Sequence, residues 1–288
     1  MRLNDIWKRG RVSFSFEVFP PKKDGDFQTV RAAVESIAQL KPDFMSVTYG
    51  AGGGTSDYTA EIARIVQSQG VPALAHLTCV SADRDRIRHE LEKLQAAGIE
   101  NILALRGDYP EDYDPAAPRD YRYAASLVED IRAYGGFTIG GACYPEGHVE
   151  CPSQEEDLRH LKEKVEKGVD FLTTQMFFDN SALYSFLYRA RALGITVPVL
   201  AGVMPVTNAG QIQRILRLSG TTLPYRFRMI LDQFRDRPDA MKQAGVIYAA
   251  EQIVDLVANG VQGIHVYVMN KPDVARALSE NLARVLER

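Results

Sequence analysis

The stretch SFSFEVFPP, residues 13–21, alternates serine and phenylalanine before it reaches a glutamate and two prolines. Alternation with a period of two is the signature of a β-strand with two unlike faces. Glu17 falls on the serine side. Pro20 and Pro21 lack the N–H that a sheet ladder needs, so the strand stops before them. A carboxylate at a strand's end, beside apolar bulk, is either a satisfied structural group or a tuned acid.

Outward from this strand, apolar, β-rich segments recur at 44–48 (FMSVT), 73–77 (ALAHL), 101–105 (NILAL), 138–143 (TIGGAC), 171–174 (FLTT), 197–203 (VPVLAGV) and 263–268 (GIHVYV). Helical patterns lie between them: Ile87, Leu91 and Leu94 share one face, as do Leu158, Leu161 and Val165. Ser153 with Glu156 reads as a capping box. Gly70, Gly98, Gly168, Gly194 and Gly260 read as helix stops before the next strand. Strands that are almost continuously apolar and alternate with helices predict a buried parallel sheet. Eight such units in 288 residues predict an α/β fold, a single-domain (β/α)8 TIM barrel. A doubly wound open sheet would want G-x-G-x-x-G after the first strand, and the turn here is PPKKDGD. The longest irregular stretch, 109–119 (YPEDYDPAAPR), reads as a loop on the active side, and a helical insertion is expected around 225–235.

Composition narrows the function. A net charge of −3 gives no nucleic-acid footprint. No apolar run approaches the roughly 20 residues that a membrane span needs. The opening MRLNDIWKRG is followed by no apolar core of a secretory signal. Cys79, Cys143 and Cys151 form neither an even disulfide set nor a C-x-x-C pair, which points to a reducing, cytoplasmic setting. His76, His89, His148, His160 and His265 show no metal-binding spacing, so no metal is expected.

Chemistry in such a barrel sits at the C-terminal ends of the strands. Those ends carry Glu17, Thr48 and Tyr49, His76, Arg106-Gly107-Asp108, Tyr144 to His148, Gln175, Met204-Pro205 and Asn270-Lys271. A polar group at nearly every strand end is the footprint of a site for a large polar ligand. Each residue also has a plainer reading. Glu17 would be held by a neighbouring lysine or arginine, and His76 would be a hydrogen-bonded core histidine. Cys79 and Cys143 read as core fillers. GAGGG at 50–54 fits no phosphate-loop pattern and reads as a tight turn. Asp157 would complement a helix N-terminus, Gln211 would be a helix-start partner, and Lys164 would belong to a solvated face. Arg106-Gly107-Asp108 resists a plain reading, because a strand end needs no charged pair split by glycine.

FEVFPPK, VTYGAGGGTSD, AHLTC, LALRGD, CYPEGH, TQMFFD and GVMPVTN occur in this order. Together they resemble the methylenetetrahydrofolate reductase family over practically the whole chain. The resemblance implies a barrel that binds FAD, in the short bacterial form without a following regulatory domain. It implies reversible reduction of 5,10-methylenetetrahydrofolate to 5-methyltetrahydrofolate, in one-carbon metabolism and methionine biosynthesis. Hydride would pass from NADH or NADPH to FAD and then to folate, in ping-pong order. Glu17 matches the family's general acid, which protonates the folate's bridging nitrogen. That role needs a protonated carboxyl, and Phe14, Phe16 and Phe19 would favour the uncharged form by desolvation.

By the same resemblance, Asp108 lies near flavin and pterin and stabilises the cationic iminium. Gln175 and Gln211 match substrate-side glutamines, and Lys271 stands on the substrate side where relatives carry arginine. Thr48, Tyr49, Ala51, His76, Arg106, Gly107, Asp108, Tyr123, Ala124, Tyr144, His148, Asp157 and Lys164 fall on FAD positions, and His160 stands there in place of an asparagine. Ile215 replaces a stacking phenylalanine. Some relatives work with a redox partner subunit, and barrels of this kind associate as homo-oligomers. A folate methyltransferase barrel without flavin, and a non-catalytic folate- or flavin-binding subunit, are the competing readings.

Overall fold

The computed structural model describes residues 1–21, 23–49, 56–109, 114 and 119–287. Its strands are β1 (Ser13–Val18), β2 (Phe44–Val47), β3 (Ala73–Thr78), β4 (Asn101–Leu105), β5 (Thr138–Cys143), β6 (Phe171–Thr174), β7 (Val199–Val203) and β8 (Gly263–Tyr267). All pair in parallel in chain order, and β8 closes on β1 to complete the barrel. The helices are α1 (Phe27–Ala38), α2 (Ser56–Ser68), α3 (Arg84–Ala96), α4 (Ala124–Tyr134), α5 (Gln154–Glu166), α6 (Asn180–Ala192), α7 (Ala209–Ser219), α8 (Tyr225–Phe234), α9 (Pro238–Ala258) and α10 (Pro272–Leu282). The insertion expected near 225–235 is α8. β7 starts two residues later than the apolar run suggests, because Pro198 has no N–H to give to the ladder. Among the described residues no helix is long and apolar enough to cross a membrane.

The alternation in β1 sorts its side chains between two layers. Phe14, Phe16 and Val18 join Val34, Ile37 and other residues of the layer between barrel and helices. Ser15 and Glu17 face the barrel interior, where they meet His265 and Ser46. This corrects one expectation: Phe14 and Phe16 lie on the far side of the sheet from the Glu17 carboxyl and do not form its surroundings. The strands are also less uniformly apolar than they read. Ser46, His76, Thr173 and His265 are buried polar residues on β2, β3, β6 and β8.

The bottom of the barrel is apolar and closed. Leu3 and Ile6, with Trp7 packed against them, form one cluster with Phe44, Leu74, Leu103, Phe171 and Leu200. Asn101 holds this N-terminal segment in place: its Oδ1 accepts from Leu3 N at 2.8 Å, and its Nδ2 donates to Met1 O at 3.2 Å.

Two aspartates stitch the same end of the sheet. Asp43, just before β2, gives its N–H to Phe14 O and takes the Phe14 N–H on Oδ2, both at 2.9 Å. Arg11 grips the same carboxylate at 2.5 and 3.3 Å. Asp170, just before β6, repeats the pattern with Ile139: its N donates to Ile139 O and its Oδ2 accepts from Ile139 N, each at 2.7 Å. Arg132 is its cation, at 2.8 Å. At the other end Asn270 clasps the Phe19 backbone, accepting from its N at 2.8 Å and donating to its O at 2.9 Å. Asn270 therefore closes the barrel rim between β8 and β1.

Candidate active site

Glu17 ends the inward-facing row of β1 and is 8% exposed. No lysine or arginine pairs with it among the described residues, so the plainer reading of Glu17 fails. Its Oε2 instead lies 3.5 Å from Ser46 Oγ, 3.5 Å from His76 Nε2 and 3.8 Å from His265 Nε2. The barrel register explains the meeting: Glu17 stands beside Ser46 on β2 and Tyr267 on β8. Tyr267 leans across Gly202 to donate its hydroxyl to Thr174 O at 2.6 Å. A side chain at position 202 would meet that hydroxyl, so glycine is required there.

His76 is not the satisfied core histidine that its apolar neighbours suggest. Its Nε2 is buried and has no hydrogen-bond partner. Burial pushes its pKa down to about 4, against the opposing pull of Glu17. The folded value lies below the unfolded one, so the unfolded chain takes up the proton first as pH falls. Stability is therefore lost between about pH 6.5 and about pH 4, by an amount on the order of 3 kcal/mol. Urea midpoints measured across that range should fall more steeply for the wild type than for His76→Asn.

His76 also lines a cavity of about 1250 Å³ over the C-terminal ends of β2 to β5. Thr48, Tyr49, Arg106, Gly107, Asp108, Tyr123, Ala124, Tyr144, His148, Asp157, His160 and Lys164 line it too. The structure thus gathers into one space every flavin-assigned residue whose placement is described. Ala51 and the GAGGG turn lie outside the described residues.

The cavity wall is built from several elements. Gly107 has φ +88°, and a Cβ there would press on Thr78 at 3.1 Å. This backbone carries Asp108 to the exposed mouth and turns Arg106 along the wall. Tyr144 meets His148 edge to face at 4.6 Å, and burial pushes its hydroxyl up to about 12. His148 Nδ1 accepts from Glu150 N at 3.1 Å. Ser153 caps α5 by accepting from Glu156 N at 3.2 Å. In that first turn burial raises the Asp157 pKa. Lys164 is no solvated lysine: its Nζ donates to Ala142 O at 2.5 Å, and burial lowers its pKa. Tyr123, at the N-cap of α4, faces His160 with rings 6.4 Å apart. Burial raises Cys79 and Cys143 to about 12, in keeping with inert filling.

Of the substrate-assigned residues, Asp108 lines the cavity, while Gln175, Gln211 and Lys271 lie on segments that follow β6, β7 and β8. Gln175 follows β6, with its Oε1 accepting from Met176 N at 3.0 Å. Lys271 precedes α10 and donates to Thr207 Oγ1 at 2.6 Å. Gln211 lies in α7, and its side chain is outside the described residues. Glu146, one of the polar strand-end residues, serves the loops instead, accepting from Thr222 N at 3.1 Å.

Several site residues escape a reading of strand ends. Glu150 holds Arg106 by two bonds of 2.5 and 2.7 Å, which raises the arginine's pKa, while Tyr109 lies under the guanidinium at 4.1 Å. Glu150 sits mid-loop, where no periodicity marks it. Ser46 and His265 lie one layer below the mouth. Extending the serine side of β1 to its neighbours by period two is the signal that finds them. Among the described residues no group of three His, Cys, Asp or Glu is placed to hold a metal.

The whole chain has recognisable relatives. A protein from Pectobacterium carotovorum subsp. carotovorum named 5,10-methylenetetrahydrofolate reductase is 34% identical, over 95% of this chain and 91% of that protein. Methylenetetrahydrofolate reductase (NADH) 1 of Arabidopsis thaliana is 32% identical, over 99% of this chain but 51% of its own length. The chain thus spans about half of the plant protein. An uncharacterised Clostridium thermocellum protein, solved with two copies of 5-methyl-5,6,7,8-tetrahydrofolic acid, shares the fold with a TM-score of 0.70 at 14% identity, covering 99% of this chain and 100% of its own. A family profile described as methylenetetrahydrofolate reductase matches residues 2–283, and with a third of the sequence shared across the full barrel, the chain belongs to the methylenetetrahydrofolate reductase family.

Proposed function

We propose that this protein reduces 5,10-methylenetetrahydrofolate to 5-methyltetrahydrofolate, with FAD in the cavity, NADH or NADPH as electron donor and Glu17 as the general acid. The observation that carries this reading is a buried carboxyl that no lysine or arginine pairs with among the described residues, facing a histidine that lines a large cavity. The cavity suits a dinucleotide in size and in chemistry. Arg106 and Lys164 bring positive charge to its wall, Gly107 lets the backbone come close, and the unpartnered His76 Nε2 offers a contact. FAD, when bound, would accept hydride from the reduced nicotinamide and give it to the folate.

The chain's own residues do the rest. Glu17 gives its proton to the bridging nitrogen of the folate, which opens the five-membered ring to a cationic iminium. Asp108, at the mouth, faces that positive charge with its carboxylate. Gln175 offers the pterin both a donor and an acceptor. Tyr144 and His148 wall the cavity, Lys164 counters the charge of phosphate groups, and Arg106 joins it on exchanging Glu150 for phosphate.

An anaerobic visible spectrum of the purified protein tests the reading. A flavin band should bleach on adding NADH or NADPH and return on adding methylenetetrahydrofolate. A protein that takes no flavin, even after reconstitution with FAD, would overturn it in favour of folate chemistry without redox.

A further inference from the structure

The hydrogen bonds beneath Glu17 have a direction that follows from counting hydrogens. Ser15 Oγ lies 3.1 Å from Ile264 O and 2.8 Å from His265 Nδ1. A carbonyl only accepts, so the single hydroxyl hydrogen of Ser15 goes to Ile264. His265 Nδ1 must then carry a hydrogen and donate to Ser15 Oγ. In a neutral ring Nε2 is left as a lone pair, and Ser46 Oγ, 3.1 Å away, donates to it. With its hydrogen so placed, Ser46 Oγ has only a lone pair left to turn toward Glu17 Oε2, 3.5 Å away. That contact is satisfied when Glu17 is the protonated acid. The reverse arrangement, a carboxylate with an imidazolium, sets two full charges in the interior on residues that are 8% and 1% exposed. Such pairs carry a large desolvation cost.

We propose that Ser46 and His265 are positioning residues for the acid step: His265 turns the Ser46 hydroxyl so that Ser46 holds Glu17 as the protonated carboxyl. The proposal rests on the reading of Glu17 as the acid. The His265 ring is fixed by Ser15 and by stacking on Phe44, with centroids 5.7 Å apart and planes at 7°. The other titratable groups facing this unit come from β3 and β8. His76 is held neutral by burial, and the Tyr267 hydroxyl is engaged by Thr174 O.

In the step itself, the lone pair of the bridging nitrogen takes the proton as the Glu17 O–H bond breaks. The ring C–N bond then opens, leaving its electron pair on that nitrogen, and the lone pair of the second nitrogen forms the iminium C=N bond. The new carboxylate draws the Ser46 hydroxyl away from His265 Nε2, which leaves Nε2 without a donor. That deficit favours recovery of a proton from solvent when the product leaves.

Two measurements test the proposal. Nitrogen-15 NMR of the histidine-labelled protein, with the His265 signals assigned by their loss in His265→Gln, should show Nδ1 protonated and Nε2 as a lone pair. This readout needs no flavin, and an Nε2–H tautomer overturns the proposal. Ser46→Ala should retain flavin and slow the folate-driven reoxidation of the reduced protein by about tenfold near pH ~8, with its alkaline limb moved to lower pH. An unmoved limb at the wild-type rate overturns the proposal as well. Failure of the underlying reading looks different, because Glu17→Gln would then reduce folate at the wild-type rate.

Discussion

Glu17→Gln should lose folate-driven reoxidation of the flavin by roughly 10²- to 10⁴-fold, the range that a positioned general acid supplies. Flavin content and bleaching by reduced nicotinamide should persist, because hydride transfer to the flavin asks no proton of this side chain. Glutamine suits the test well. It keeps the volume of the buried site and can still meet Ser46, but its amide has no proton to give at neutral pH. Loss of both half-reactions would mean that the substitution damages the cavity rather than the acid step. Retention of full folate activity with normal flavin content would sink the acid role altogether.

Asp43→Ala should cost about 3 kcal/mol of stability, the upper range for stripping a buried backbone donor and partly exposed arginines of a charged acceptor. The Asp43 side chain is 1% exposed and meets the Phe14 N–H, Arg11 and, at 3.5 Å, Arg9. Removing it takes the side-chain acceptor from the Phe14 N–H inside the sheet and the anion from both arginines. Asp43→Asn should cost less, since its amide oxygen still accepts from Phe14 while the charge is lost. Removing an exposed pair such as Arg226–Glu251, by Glu251→Ala, should cost no more than about 1 kcal/mol. Urea unfolding of the three variants orders these effects. Equal midpoints for Asp43→Ala and Glu251→Ala would refute the role given to Asp43.

The architecture was legible because each βα unit repeats a short apolar run and five of the helices end at a glycine. Gly70, Gly98, Gly168, Gly194 and Gly260 all take positive φ, as a helix stop requires. The candidate site was legible at the strand ends, where Glu17, His76 and Arg106 interrupt apolar runs. What stayed hidden was direction within a strand. The phenylalanines beside Glu17 in sequence lie across the sheet from its carboxyl, because neighbours in a strand point to opposite faces. Its real neighbours are Ser46, 29 residues away, and His265, a further 219 beyond Ser46, brought together by barrel register. Glu150 was hidden for another reason: a loop residue that meets Arg106 across 44 positions leaves no periodic trace.

The sealed floor of the barrel governs traffic. With Leu3, Ile6 and Trp7 stoppering the lower end, the reacting interior opens, among the described residues, toward the upper rim. Under the proposed activity, nicotinamide and folate therefore share a single doorway. Each would then reach the reacting interior, and leave it, past the same rim residues. An excess of either visitor should then obstruct the other at that doorway.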